Sequence, residues 1–462
     1  MRGKARIALD LLFSPVTLAF GLYLPLLLLF LITDPSVFES EFSVSKSSNL
    51  TGLAFLSLSL LIFVFGALAG MRMAALPRRR VDAFTGDVDN SFLDFLTGGL
   101  RVALILTIAA YTLWFGSGIV RAGGFTAFVH EWSTNPEMVK SDVLKTIPGV
   151  TTMTQLAVAA APLAIAFGVH RRRGMTPLIA TVVALALVRS FIFSERLALL
   201  ELVVPLVYLG IGRRVVLVPR AVLFAGASVL AVLVLFTATE ARRSVVYTHQ
   251  FSVTHLTARF FGYYLTSENN ALVVAGKYRA ATPLAYTGEM FWKFPLVDKV
   301  HVENAPVLGT VTLRYADIFG KDPDTYWPQV FSDNGLSYEY NVFTTPGFLA
   351  ADLGWGGLAV VLLLGLYSGA LYKRARAHPF HRALYAMWLV GLLEFMRIMY
   401  FFNTRALPAY IIFGLLYLAL VRRGSILAWR SPSGRPRTGR GPAIVRAGSA
   451  PGHGGTRPSP QK

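Results

Sequence analysis

"RSFIFSERLALLELVVPL", residues 189–206, reads as the apolar run of a membrane span, yet it carries Arg189, Glu195, Arg196 and Glu201. A charge at the centre of a bilayer costs about 2.5–3.5 kcal/mol on insertion scales, so four of them belong near an interface. As one helix, residues 175–212 would be about 57 Å long at about 1.5 Å per residue, against a hydrocarbon core of about 30 Å. The stretch is therefore a hairpin of two spans, 175–193 and 197–212, turning at Ser194, Glu195 and Arg196.

Working outward, the whole chain has the same character. Of 462 residues 54% are hydrophobic and only 15% charged, where a soluble protein carries about a quarter charged. Apolar blocks of roughly 20 residues, the length that crosses hydrocarbon, give ten expected spans. They fall near 11–33, 50–70, 102–120, 149–169, 175–193, 197–212, 221–239, 347–371, 384–402 and 407–421. Basic clusters at Arg2, Lys4 and Arg6, at Arg78 to Arg80, at Arg171 to Arg173, at Arg213 and Arg214, and at Lys373 to Arg376 then all share one side. That side is the cytoplasm by the positive-inside rule. The first apolar run has no small-residue cleavage site behind it and reads as a retained signal anchor.

The expected class is an all-α polytopic membrane protein with about ten spans and a large external lobe between the seventh and eighth. Residues 1–239 hold the first seven spans, 240–346 the external lobe, 347–421 the last three, and 422–462 a disordered basic cytoplasmic tail. The net charge of +19 does not point to nucleic acid. From Arg422 onward eight Arg and one Lys stand without an acidic residue, about half of the excess. That tail would touch anionic lipid headgroups, and the remaining excess sits in short loops. The 240–346 segment is near neutral, nine Lys or Arg against ten Asp or Glu, and holds 19 aromatic residues. Short helices folded over the outer face are expected there, with aromatic faces able to stack on sugar rings.

With sidedness assigned, the ionisable residues inside the spans gather at the external end. Arg189, Glu201, Asp352, Glu394, Arg397 and Arg405 lie there, with Thr151, Thr152 and Gln155, while the inner halves are nearly free of charge. A proton or ion path would need polar groups through the midplane. A cavity open to the outer leaflet is the better fit. Arg189, Arg196, Arg259, Arg397 and Arg405 suit the oxygens of a lipid diphosphate, because guanidinium forks bind phosphate bidentately. Glu195, Glu201, Asp352 and Glu394 are the candidates for a general base. The plain alternative is ion pairing alone: Glu394 with Arg397 at i, i+3, and Glu201 with Arg189 across the hairpin.

Other signals exclude rather than suggest. There is no cysteine, Asp-Asp pair, His-x-x-x-His pair, Gly-rich phosphate loop or Ser-nucleophile motif, so no metal or cofactor is expected. His249 and His255 read as surface groups. Gly365 and Gly369 form a G-x-x-x-G read as packing within the chain rather than as a dimer signal. No internal repeat appears, which weighs against an inverted-repeat transporter.

Four stretches carry a family likeness: "RSFIFSERLALLELVVPL", "IPGVTTMTQLAVAA" from Ile147, "RFFGYYLTSENNA" from Arg259 and "EYNVFTTPGFLAADLGWGGL" from Glu339. They cover residues 147–358 and resemble bacterial oligosaccharide repeat-unit polymerases, the Wzy-type O-antigen and exopolysaccharide polymerases. The resemblance implies a metal-independent glycosyltransferase of the bacterial inner membrane, multi-pass with both termini cytoplasmic. It would move a growing glycan from undecaprenyl diphosphate onto the terminal sugar of an incoming undecaprenyl-diphosphate-linked repeat, beside a flippase and a chain-length regulator. On this sequence the five arginines would hold the diphosphates. Glu195 or Glu201, then Asp352, would be the base, and Tyr263, Tyr264, Glu268, Asn269, Asn270, Glu339 and Asn341 would meet the glycan. The R-x10-G pattern of some members is absent: Arg242, Arg243, Arg259, Arg279 and Arg314 all lack Gly eleven residues on. The rival readings are an O-antigen-ligase-type or other polyprenyl-dependent glycosyltransferase, a lipid-linked glycan flippase, and a non-catalytic assembly protein.

Overall fold

The computed structural model describes residues 6–74, 90–134, 139–147, 149–172, 174–193, 196–211, 215–217, 223, 253–277, 280–294, 297, 301–305, 309–336 and 342–430. The expected seventh span apart from Leu223, Ser194, Glu195, Glu339, Asn341 and the tail beyond 430 lie outside the described residues, as does the side chain of Arg196.

Among the described residues the chain is almost wholly helical. In order come α1 Pro15–Ile32, α2 Pro35–Phe42, α3 Leu50–Met73, α4 Asn90–Arg121, α5 Phe125–Thr134 and α6 Val150–Ala166. Then follow α7 Met175–Phe193, α8 Arg196–Ile211, α9 Val253–Lys277, α10 Glu289–Trp292, α11 Tyr315–Phe319 and α12 Pro323–Asp333. The last four are α13 Thr345–Leu353, α14 Gly357–Ala375, α15 Pro379–Leu393 and α16 Leu407–Arg430. Two short antiparallel ladders complete the set. β1 (Arg6–Ala8) pairs with β2 (Val215–Leu217), and β3 (His301–Ala305) with β4 (Gly309–Thr312). The chain divides after Ala419, and the second unit contributes only the end of α16 to the described residues.

Six helical stretches are long and apolar enough to cross a membrane: Pro15–Ile32, Leu50–Met73, Asn90–Arg121, Met175–Ile192, Thr345–Ala375 and Thr404–Arg422. They mark a multi-pass membrane protein. Val150–Ala166 and Leu197–Gly210 are apolar but shorter. The opening stretch divides into α7 and α8, with residues 194–195 between them.

The tightest packing joins α3 to α14, and glycine makes it possible. A Cβ on Gly66 would meet the Leu362 carbonyl, and one on Gly70 the Leu366 carbonyl. Reciprocally, a Cβ on Gly365 would meet the Phe63 carbonyl, and one on Gly369 that of Ala67. Two G-x-x-x-G faces therefore lie backbone to backbone, which small residues permit and van der Waals contact stabilises. The Gly365/Gly369 pair works within the chain. Nearby, Tyr23 donates to the Leu392 carbonyl at 2.5 Å and Trp388 Nε1 to Ser368 Oγ at 2.8 Å. Buried polar groups in such a core need partners of this kind.

Two helices depart from the sequence expectation. The expected eighth span falls within Thr345–Ala375, but its helix is interrupted: α13 ends at Leu353, and Gly354 takes φ 58°, ψ −138°, a conformation that glycine tolerates and side chains resist. The expected ninth span stops as a helix at Leu393, short of residue 402, and the chain turns irregularly as far as Asn403. Its carbonyls are satisfied from α13. The Thr345 backbone N donates to Phe395 O at 2.8 Å, and Thr345 Oγ1 donates to Ile398 O at 3.0 Å.

The helix α9 also differs from the short surface helices expected between the last spans. It runs 25 residues and packs against α1, α2, α3 and α13. Thr266 to Asn270 at its centre are buried. Gly262 admits the ring of Phe42 and Gly276 the side chain of Asn49, so the helix sits in a close-fitting slot.

Candidate functional site

The bundle has two chemically different ends. At one lie the C-terminal turns of α4 and α7, the N-terminal turns of α6, α8 and α16, and the irregular 394–403 segment. At the other lie Arg72, Arg171, Lys373, Arg374 and Arg376, in or just past the last turns of their helices or in the turn before α7. Arg189, Glu201, Glu394, Arg397 and Arg405 gather at the first end.

Their arrangement is a relay built from α6, α7, α8 and the entry to α16. Glu201 on α8, 1% exposed, accepts two bonds from Arg405: Nε to Oε1 at 3.0 Å and Nη2 to Oε2 at 3.0 Å. Gln155, in the tight turn within α6, lies between Glu201 and Arg189. Oriented to satisfy both, its amide nitrogen donates to Glu201 Oε2 at 3.1 Å and its oxygen accepts from Arg189 Nη1 at 3.2 Å. Arg189 on α7 is buried and also donates to Thr154 Oγ1 at 3.2 Å, with its guanidinium 5.0 Å from the Trp114 ring centre on α4. That face-on placement adds a cation–π attraction.

The expected ion pair of Glu201 with Arg189 is thus replaced by a longer chain. Arg405 takes the carboxylate, and Gln155 carries the contact on to Arg189. In sequence Gln155 is only a polar residue near a span end. Its bridging role depends on α6 lying against α8, which no local pattern reveals.

A second pair lies beside the first. Glu394, 2% exposed, accepts from Arg397 Nη1 at 2.7 Å, so the i, i+3 pairing read from the sequence is present. Arg397 also faces the ring of Tyr263 on α9 at 5.6 Å. The fully buried Tyr400 hydroxyl borders Glu201 beyond strict hydrogen-bond geometry and has no other partner among the described residues. Taken together, Arg189, Arg397 and Arg405 face Glu201 and Glu394, leaving one positive charge in excess among the described residues.

Asp352 occupies a different place. Its Oδ2 accepts from the backbone nitrogens of Tyr286 at 2.9 Å and Thr287 at 2.6 Å, and from Thr287 Oγ1 at 2.9 Å. The carboxylate clamps the 280–294 segment onto the end of α13. Three donors on one oxygen hold it there as an anchor.

Glu268, Asn269 and Asn270, expected to meet a glycan, are closed off in the centre of α9. Asn269 accepts from Ser47 N at 2.7 Å and donates to Ser45 O at 2.9 Å, and Asn270 donates to Val342 O at 3.0 Å. These amides hold neighbouring loops to the helix. Both Glu268 oxygens are buried without a hydrogen-bond partner among the described residues. Tyr263 and Tyr264 are half-buried, Tyr264 beside Phe260 at 5.9 Å. Arg259 is half-buried near the start of α9, and none of the bonds that build the relay involves it. No group of three His, Asp or Glu side chains able to hold a metal ion occurs among the described residues.

One carboxylate was missed in the sequence. Glu289 in α10 accepts from Asn403 Nδ2 at 3.3 Å and pairs with Lys293 at 3.4 Å, and its backbone carbonyl accepts from Thr404 Oγ1 at 3.4 Å. Asn403 Oδ1 in turn accepts from the Arg405 backbone N at 3.0 Å, which brings Glu289 to the mouth of the relay. Burial pushes its carboxyl above the usual range, against the pull of Lys293. In sequence Glu289 and Lys293 look like an ordinary exposed i, i+4 pair. The contact with residues 403–405 is what sets them apart.

Compared with family models, curated proteins and solved structures, the chain matches none.

Proposed function

We propose that this chain polymerises lipid-linked oligosaccharide repeat units at the outer leaflet of a bacterial inner membrane. It would transfer the growing glycan from undecaprenyl diphosphate to the terminal sugar of an incoming repeat. The observation that carries the reading is the relay Arg189–Gln155–Glu201–Arg405, which brings two guanidinium groups together at the end opposite the basic helix termini. By the positive-inside rule that end faces outward. The ten-span layout with an external lobe belongs to this same reading.

In the reaction, Arg189 and Arg405 face the donor diphosphate and stabilise the charge that develops as the glycosidic C–O bond breaks, an electrostatic role. The acceptor hydroxyl attacks the anomeric carbon, and a carboxylate takes its proton. Glu201 is committed to Arg405 and Asp352 to its three donors, so Glu289 is the better-placed base. Burial raises its proton affinity, the direction that favours a general base. Glu195 stands as a further candidate from the sequence. Tyr263, against Arg397, borders the path that the glycan would take.

The test is Arg189→Ala in the cell that makes the glycan, with membrane abundance of the variant measured alongside. The reading expects single repeat units on lipid and no long chains at unchanged abundance. Long chains of normal length in that variant would remove the arginine cluster from the chemistry.

A further inference from the structure

A second site lies at the opposite end of the bundle, on its flank. Between α14, α15 and α16 is a cavity of about 370 Å³, within the ~300–1,000 Å³ range of small-molecule pockets. Phe380 and Phe413 form its wall, ring centres 5.7 Å apart, and Phe380 also meets Tyr417 at 5.9 Å. Tyr367 and Tyr417, 45% and 52% exposed, flank the opening. Those side chains belong to the membrane-crossing stretches Thr345–Ala375 and Thr404–Arg422, so the mouth opens sideways, where hydrocarbon lies.

The end near the α14–α15 turn is polar. Arg374, exposed in the last turn of α14, has neither an ion pair nor a side-chain hydrogen bond among the described residues. His381 lines the same cavity, and its Nδ1 is shut off from solvent without a partner among the described residues. The His381 ring stands 5.5 Å from that of His378 and completes the polar end beside Arg374. The N-terminal turn of α15 begins at Pro379 beside them and adds its positive dipole end. An aromatic trough with a cation and a hydrogen-bonding ring at one end matches an acyl chain with an anionic head.

We propose that this groove binds an anionic phospholipid of the leaflet facing the basic helix termini. Its phosphate would sit at Arg374 and His381, and one acyl chain would run along Tyr417 towards Tyr410. The stretch from Tyr417 to Tyr410 spans about 10 Å of helix at about 1.5 Å per residue, enough to seat the upper part of a chain. The occupant is lipid rather than a soluble anion because the trough faces hydrocarbon, and rather than a partner helix because a concave slot between three helices admits a single chain. This site is separate from the relay and independent of the polymerase reading.

The experiment is native mass spectrometry of the full-length chain in detergent, titrated with phosphatidylglycerol, with phosphatidylcholine of identical chains, and with glycerol phosphate as competitor. The inference expects phosphatidylglycerol to bind about fivefold more tightly than phosphatidylcholine, the factor expected for one basic residue at an anionic head. Arg374→Glu should remove that preference. Gly414→Phe should abolish retention of both lipids, because a Cβ at Gly414 meets nothing within 4 Å and the ring fills the trough without displacing backbone. Glycerol phosphate should not compete. Equal binding of the two lipids, or a preference that survives Arg374→Glu, would overturn the inference. So would lipid retention by Gly414→Phe, or competition by glycerol phosphate, which would mark a phosphate site without a chain.

Discussion

At the residue scale the Glu201–Arg405 pair dominates the energetics. Glu201 is withdrawn from water and Arg405 largely so, so the attraction between them largely offsets desolvation, and losing Arg405 strands the buried carboxylate. Arg405→Ala should lower stability by about 3–5 kcal/mol, read as a fall in Tm of the purified chain. Glu201→Gln together with Arg405→Met should recover part of that loss, since the pair is then removed as a unit while Arg189 keeps Thr154 and Gln155. A pair that merely decorated a solvated surface would show neither effect. Glu289 offers a pH test at the same scale. Burial raises its folded-state affinity for a proton, so folding takes up a proton in the window above the ordinary carboxylate range. Stability contributed by this group is therefore present at lower pH and falls as pH rises through that window. If Glu289 is the base, as proposed, polymerisation has the opposite slope, because a base must be unprotonated. Glu289→Gln should cut polymerisation about 10²–10⁴-fold and flatten both dependences. An unchanged pH–rate profile would assign the proton transfer to another group.

At the element scale the glycine seam between α3 and α14 sets the close approach of two helices. Gly369→Val would drive a branched side chain into the Ala67 carbonyl. It should destabilise the chain by about 1–3 kcal/mol, the usual cost of overpacking, while Gly414→Ala on the open side of α16 should change Tm little. Equal tolerance at both positions would mean that the seam is not under steric constraint. This seam was legible in the sequence, because a G-x-x-x-G in an apolar run has one physical use, although its partner face on α3 was not named. The division of residues 175–212 was equally legible, since length against bilayer thickness admits no other solution. The ends of α13 and α15 were not. Gly354 breaks one helix with a positive φ inside an unbroken apolar run, and Thr345 draws the other into turns at Glu394 through contacts 50 residues away in sequence. The position of α9 was also hidden. Its TSENN centre is polar enough to suggest solvent, yet its amides are consumed by Ser45, Ser47 and Val342.

At the scale of the whole molecule, the candidate site was half legible. Charge placement alone brought Arg189, Glu201, Glu394, Arg397 and Arg405 to one end, because hydrocarbon leaves ionisable groups few other places. Which of them pair was not legible. That depends on how α6, α8 and the entry to α16 meet, so Gln155 emerged as a bridge, Asp352 as an anchor for the 280–294 segment, and Glu289 as a new carboxylate at the mouth. The two ends of the bundle divide the labour. On the proposed reading, one gathers arginines and carboxylates where a lipid diphosphate would lie, and the other carries the arginines and lysines that would orient the chain in the membrane. The most direct test of the central claim is to reconstitute the purified chain in vesicles with an undecaprenyl-diphosphate-linked repeat unit as the sole substrate. The account predicts a ladder of glycans lengthening by whole repeats, with one undecaprenyl diphosphate released per addition, and no ladder with Arg189→Ala. Repeat units that remain single, whether or not they cross the bilayer, would contradict it.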